Sequence, residues 1–443
     1  VLIENSEYWL RNHGDMAMMQ MTIERIRHRW PGARVAVLTD SPMLLRALFG
    51  DVEAITVGDA DPWGPPTWWE NLAEQIGPQL VGPIAIAVLC VRVWLPQKAR
   101  GARNRLRRAW RVLIGRPEEM VPPPPRVAVT RGSFAAAEAA TVIIALGGGY
   151  LTDADRAQSN RVFGLMEHAV AHGVPVALVG QGLGPLDDPA LRERAAGALG
   201  AASVIALREG RRGPALLESL GVSGDRVVVT GDDAIELAYR ARTDEVGTDI
   251  GVCLRVADYS PVALAAQECV GRVVRTVAAG HDGAIAPLAI AEYQSQDRIS
   301  TLPLVAGYPK VREMPHKYAH PSAVIERVTA CRVVLTGAYH LAVFALSQGI
   351  PVVALTSTAY YDDKFYGLAE MFGTGITVIH FDDPDLEAVL TGALTDAWDS
   401  AHEVREPLRA RAAEQIAAST DTLYGLLDSV AAGHAAMTGR ADT

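Results

Sequence analysis

His340 is the side chain in this sequence best placed to move a proton. It follows the short apolar run Val333 to Leu335 and the break at Thr336-Gly337, and helical periodicity then runs from Tyr339 to Ser347 until Gly349 and Pro351 end it. A second apolar run, Val352 to Leu355, completes a strand–turn–helix–strand unit. His340 therefore falls in the first turn of a helix, where parallel strands end and backbone N–H groups are free for an anion. An imidazole titrates near neutrality and serves as acid or base. The plainer reading of a lone histidine, a ring that satisfies a backbone group, stays open at this stage.

Other residues of chemical interest fall at the same kind of position. Arg208 comes just after the apolar run in SVIALREG, and its planar fork suits a carboxylate or phosphate; a surface pair with Glu209 is the alternative. TVIIALGGGY runs into Gly147-Gly148-Gly149, and Val174 to Val179 opens into Gly180-Gln181-Gly182, both read as glycine-rich turns that leave N–H groups free. Neither is a dinucleotide fingerprint or a Walker loop. Asn12-His13-Gly14-Asp15 lies in the first strand-to-helix turn, where Gly14 could simply make the turn and Asp15 cap the helix. Thr230-Gly231-Asp232-Asp233 follows the strand Val227 to Val229. His316, Lys317 and His320 lie close together without a third ligand, so no metal is expected.

These positions require alternating strands and helices, and the chain supplies them in two runs. The pattern predicts an α/β protein of two Rossmann-like domains: residues 1–240, with an insertion at about 60–125, and residues 248–400, joined by the polar stretch 238–249. Residues 291–320 read as irregular, and 401–443 as a C-terminal helix packing back toward the first domain. The chain has 443 residues, 49% of them hydrophobic, which suffices for two large cores. Its net charge of −10 argues against nucleic-acid binding. Four scattered cysteines without a CxxC pair fit a reducing cytoplasm, and no secretory pattern is read at the start. The insertion is different in character. Leu80 to Val91 has no charge, nine Lys or Arg follow from Arg92 to Arg116, and no acidic residue lies between Glu74 and Glu118. Residues 80–116 thus read either as a peripheral contact with the inner membrane face or as a basic helix packed on its own domain.

Taken in order, Asn12-x-Gly14-Asp15, Gly147-Gly148-Gly149, Gly180-Gln181-Gly182, Leu207-Arg208-Glu209, Gly231-Asp232-Asp233 and Gly337-x-x-His340 with Ala345-x-x-x-Gly349-Ile350-Pro351 resemble the polysaccharide pyruvyl transferase family. The resemblance spans residues 10 to about 370. It implies a GT-B-like arrangement of the two domains around a cleft. It also implies transfer of the enolpyruvyl skeleton of phosphoenolpyruvate onto a sugar diol, as a ketal, on a cell-surface polysaccharide or its lipid-linked precursor. On this resemblance His340 and Arg208 are catalytic and face each other across the cleft. Asn12, Asp15, Gly148, Gly149, Gln181, Gly182, Asp232, Gly337, Tyr339 and Lys364 bind substrate, with no cofactor. Family members often carry a basic residue one or two positions before this histidine; here Ala338 and Tyr339 stand there. Arg208, Arg255, Lys317 and Lys364 are the cations that could compensate. A GT-B glycosyltransferase using a nucleotide sugar, or a non-catalytic family member, are the other readings.

Overall fold

The computed structural model describes residues 1–5, 8–56, 61–91, 131–257, 260–293 and 296–441. The basic stretch 92–116 lies wholly outside the described residues. In chain order the first half reads β1 (Leu2–Glu4), α1 (His13–Arg29), β2 (Ala36–Leu38), α2 (Pro42–Leu48), β3 (Glu53–Ile55), α3 (Trp68–Ile76) and α4 (78–91). It continues with α5 (Arg131–Glu138), β4 (Ile143–Ala145), β5 (Gly148–Leu151), α6 (Arg156–Ala171), β6 (Val176–Leu183) and α7 (Pro189–Gly200), then β7 (Val204–Leu207), α8 (Gly213–Ser219), β8 (Val227–Val229) and α9 (Ala234–Arg240). The second half comprises β9 (Asp249–Cys253), α10 (Leu264–Gly280), β10 (Ala284–Pro287), α11 (Gln296–Val305), α12 (Pro321–Thr329), β11 (Cys331–Thr336) and α13 (Tyr339–Gln348). It closes with β12 (Val352–Thr356), α14 (Ala359–Phe372), β13 (Ile376–His380), α15 (Leu386–Asp399) and α16 (Ala401–Ala441).

The strands form two parallel sheets. One has the order β3-β2-β1-β4-β6-β7-β8, with β5 pairing β6; the other is β10-β9-β11-β12-β13. In each, the strand order reverses once, between β1 and β4 and between β9 and β11, and loops leaving the strands there open a crevice. Buried β-branched runs such as VVLT and VVALT carry no alternation because both faces of a parallel sheet are covered. α13 shows the same logic in a helix: all ten residues are buried, and it ends at Gly349 in the left-handed conformation (φ 86°).

α16 ties the halves together. Leu408 and Ala412 pack into the core that holds α13, whereas Leu423, Leu426 and Leu427 pack into the core of the first sheet. The chain also crosses between domains at backbone level. His13 N–H donates to the Ile290 carbonyl at 2.9 Å and Glu292 N–H to that of Arg11 at 2.7 Å.

Three sequence readings change. Gly180-Gln181-Gly182 is not a turn but lies inside β6, and Gly148-Gly149 begins β5, with Gly148 registered against Gln181. The glycines are required by close packing: a Cβ on Gly147 would lie 2.2 Å from the Gly180 carbonyl oxygen. The stretch read as irregular contains α11, whose Pro303 sits near its end. The polar linker is shorter than read, because α9 runs to Arg240 and joins the core around α13.

Candidate active site

A cavity of about 890 Å³ opens between the sheets. Its walls come from the loops after β1, β2, β7, β9 and β10, from β5 and the loop after it, from α4 and α6, and from the starts of α1, α13 and α14, including Asn12, Asp15, Gly148, Gly149, Arg208, Arg255, Tyr339, His340 and Lys364. Gln181, Asp232 and Gly337 do not line it. Gln181 is wholly buried and donates through its side-chain amide to the Gly148 carbonyl at 3.1 Å. Gly337 donates its N–H to Cys253 O at 3.0 Å, and a Cβ there would press on the Arg255 backbone. Gly182 borders a small adjoining pocket together with Gly149, Arg208 and Lys364.

His340 belongs to the second half of the chain but is held by the first. Its Nε2 lies 3.6 Å from Asp232 Oδ2, within ion-pair distance, and neither atom has a hydrogen-bond partner. Asp232 Oδ1 accepts from Ala234 N–H at 2.9 Å, which fixes the carboxylate at the start of α9. Burial alone would raise the Asp232 pKa; the His340 imidazole and Arg208 outweigh it and hold the carboxyl below its ordinary value. On the other side of the ring stands Gly14. A Cβ built there would lie 2.0 Å from His340 Cγ, so no other residue leaves room for the imidazole. Asn12 caps α1 by accepting from Gly14 N–H at 2.9 Å, which holds that glycine in place.

Arg208 is buried beside the same carboxylate, with NH1 3.8 Å from Asp232 Oδ2 and its guanidinium 4.2 Å over the Tyr339 ring. His340 and Arg208 therefore flank one aspartate rather than facing each other across the cleft. Glu209 is turned away and accepts from the backbone N–H of Arg211 at 2.6 Å. Tyr339 OH is buried without a partner, and burial drives its pKa well above the usual phenol range.

The cations around the cavity differ. Arg255 makes a two-pronged pair with Asp297, at 2.6 and 2.9 Å. Lys317 lies at the opposite side near Tyr318, its pKa lowered by burial and by Arg11. Lys364 has no carboxylate within ion-pair distance among the described residues; its ammonium stands 3.8 Å from the centre of the Tyr360 ring. Its side chain is part-open to the cavity, yet burial of the ammonium, with Arg208 and Arg255 nearby, holds its pKa well below the usual lysine value. Tyr360 OH donates to Gly149 O at 2.6 Å, so α14 is fixed to the glycine strand of the other domain.

Sequence reading passed over much of the first-domain wall. Trp9, Asp40, Tyr150, Gln158 and Arg161 all reach the cavity. Arg161 pairs with Glu4 at 3.1 Å and stacks over Tyr8 at 3.7 Å. The aromatic residues beside Asn12 and the glycine triplet, and the run TAYYDDK that ends at Lys364, were the available signals. His13 is a structural member of its motif: burial, with Arg298 and Arg11 nearby, pushes its pKa down to about 3. One group of metal-ligand type among the described residues, Glu138, His168 and His172, lies on α5 and the end of α6, away from the cavity.

The polysaccharide pyruvyl transferase family model matches residues 12–358. The chain belongs to the polysaccharide pyruvyl transferase family. No curated protein matches its sequence. Among solved structures it is similar to a candidate UDP-N-acetylglucosamine 2-epimerase from Listeria monocytogenes, at a TM-score of 0.54 and 12% identity over 97% of this chain and 95% of that one. It is also similar to Anabaena HepE in complex with UDP, at a TM-score of 0.52 and 12% identity over 98% of this chain and 99% of that one. These likenesses show the GT-B fold. The family is one of transferases that act on a glycan acceptor. Among the described residues no helix is long and apolar enough to cross a membrane.

Proposed function

We propose that this protein transfers the pyruvyl group of phosphoenolpyruvate to a sugar diol of a cell-surface polysaccharide or its lipid-linked precursor, in the cytoplasm, where that donor is made. The observation that carries the reading is the meeting of an aspartate-backed histidine with two cations, Arg208 and Lys364, in one cavity of a family member. In this reading Lys364 replaces the basic residue that family members often carry before the histidine. The donor carboxylate and phosphate lie against Lys364 and Arg208, where a charged hydrogen bond is strongest because water is displaced. Protonated His340 delivers its proton to the methylene carbon, which becomes a methyl group, and positive charge develops on the central carbon. One sugar hydroxyl adds there and returns its proton to His340. The second hydroxyl then displaces phosphate, closing the ketal ring and giving up its proton. Asp232 does not touch the donor; it orients the imidazole.

The test is phosphate release from phosphoenolpyruvate with a panel of glycans, for the unmodified protein and His340→Gln. The expected result is a loss of about 10²-fold or more in turnover with an unchanged unfolding midpoint. Equal turnover by the variant would remove His340 from the reaction.

A further inference from the structure

α4 is apolar on both sides. Val81, Ala85 and Leu89, a turn apart, are buried, while the row beside them, Leu80, Ile84, Val88 and Val91, faces solvent, Leu80 at 69% exposure. No charged residue occurs between 78 and 91. A helix apolar all round is one that is covered all round, and a row of large aliphatic side chains differs from the scattered apolar residues of an ordinary surface. α3 adds Trp68 and Trp69, stacked with ring centroids 3.5 Å apart and 63% and 52% exposed. The acids of α3 are engaged elsewhere: Glu70 closes a capping box with Thr67, and Glu74 pairs with Arg46.

We propose that α3 and α4 dock this protein on an anionic lipid surface. The sign of the neighbouring charge selects the occupant. In a chain of net charge −10, the sequence directly after Val91 carries nine Lys or Arg and no acidic residue up to Arg116. A second copy covering the same row in a two-fold dimer would set two such cationic segments against each other. An anionic lipid surface instead offers hydrocarbon for the aliphatic row, an interfacial layer for the tryptophans and opposite charge for the cations. The docking face is also fixed to the cavity. Ile86 and Cys90 line its wall, and a Cβ on Gly82 would lie 2.3 Å from the Tyr318 ring, so α4 packs directly on the second half of the chain. Docking through α4 would bring the cavity to the lipid surface, within reach of a sugar carried on a lipid. The proposal concerns where the protein sits, and it holds whichever donor is used.

Co-sedimentation with vesicles tests it, using phosphatidylcholine mixed with phosphatidylglycerol and, separately, phosphatidylcholine alone. Binding is expected to the mixed vesicles only and to weaken as salt rises. The paired substitution Ile84→Ser and Val88→Ser should lower that binding by about tenfold or more, leaving the urea unfolding midpoint unchanged. Trp68→Ser with Trp69→Ser repeats the test on solvent-facing rings if the first pair disturbs folding. Failure to sediment with mixed vesicles at low salt, equal binding by both variant pairs, or a concentration-dependent dimer that these substitutions abolish would each overturn the proposal.

Discussion

Arg255 and Lys364 line the same cavity in opposite circumstances. Around Arg255 the accounting closes: its guanidinium meets both oxygens of buried Asp297, and Asp297 also accepts from the N–H groups of Ile290 and Ala291 at 2.9 and 2.7 Å. Around Lys364 it stays open. The ammonium has two tyrosine rings and no carboxylate beside it among the described residues. Tyr339 OH, His340 Nε2 and Asp232 Oδ2 nearby also lack hydrogen-bond partners. A cation matched to its carboxylate holds a loop in place, and a cation left unmatched in a cavity has capacity for a ligand's charge. By this measure the β9 side of the cleft is matched within the protein, and the proposed function puts the donor on the α13–α14 side.

Removing each cation separates the two. Arg255→Met should leave Asp297 buried without its partner and lower stability by about 3–5 kcal/mol, read as a fall in the urea midpoint. Lys364→Met should leave the midpoint unchanged or raised and weaken donor binding by about 10–100-fold in titration calorimetry, the effect of one charged hydrogen bond. If both variants lose stability and neither loses affinity, the distinction between the two sides fails.

pH sharpens the same contrast. The Lys364 pKa is lowered, so the cationic form that holds an anion is lost as pH rises, beginning below the usual lysine range. Donor affinity should therefore fall on the alkaline side, and Lys364→Arg, which keeps its charge, should flatten that limb.

Gly14→Ala asks whether the first domain holds the His340 ring. Displacing His340 should lower turnover by about tenfold or more with donor affinity nearly kept, which a comparison of kcat with KM would reveal. His13, in the same motif, shows itself in stability alone. Its folded pKa of about 3 lies below the unfolded 6.5, so the unfolded chain takes up the extra proton. Its contribution to stability is complete above about pH 6.5 and falls by at most about 1.4 kcal/mol per pH unit as pH drops toward 3. His13→Gln should remove that share of the slope in urea midpoints measured between about pH 7 and pH 5.

The sequence was most legible where local chemistry decides the structure. Buried β-branched runs, and Gly349 with Pro351 after a helical period, placed His340 at the start of its helix. It was least legible where a distant contact decides. Gly180 and Gly182 read as turn residues by type, yet both lie within β6, where Gly180 takes a left-handed backbone (φ 56°) at a shift of register, and Gly147 is small because Gly180 lies against it. Gly14 passed for a turn former, while the His340 ring is what excludes a side chain there. α11 was hidden by its polar start and by Pro303. That Asp232 meets His340 follows from α9 packing into the second core, and no local pattern carries that.

The central claim is most directly tested by running the reaction in heavy water with phosphoenolpyruvate and the glycan panel, and weighing the product. The account expects one phosphate released per sugar modified, a mass gain of pyruvate less one water, and one deuteron in the new methyl group. Absence of both phosphate and mass gain across the panel, with tight binding of a nucleoside diphosphate in the same cavity, would contradict it.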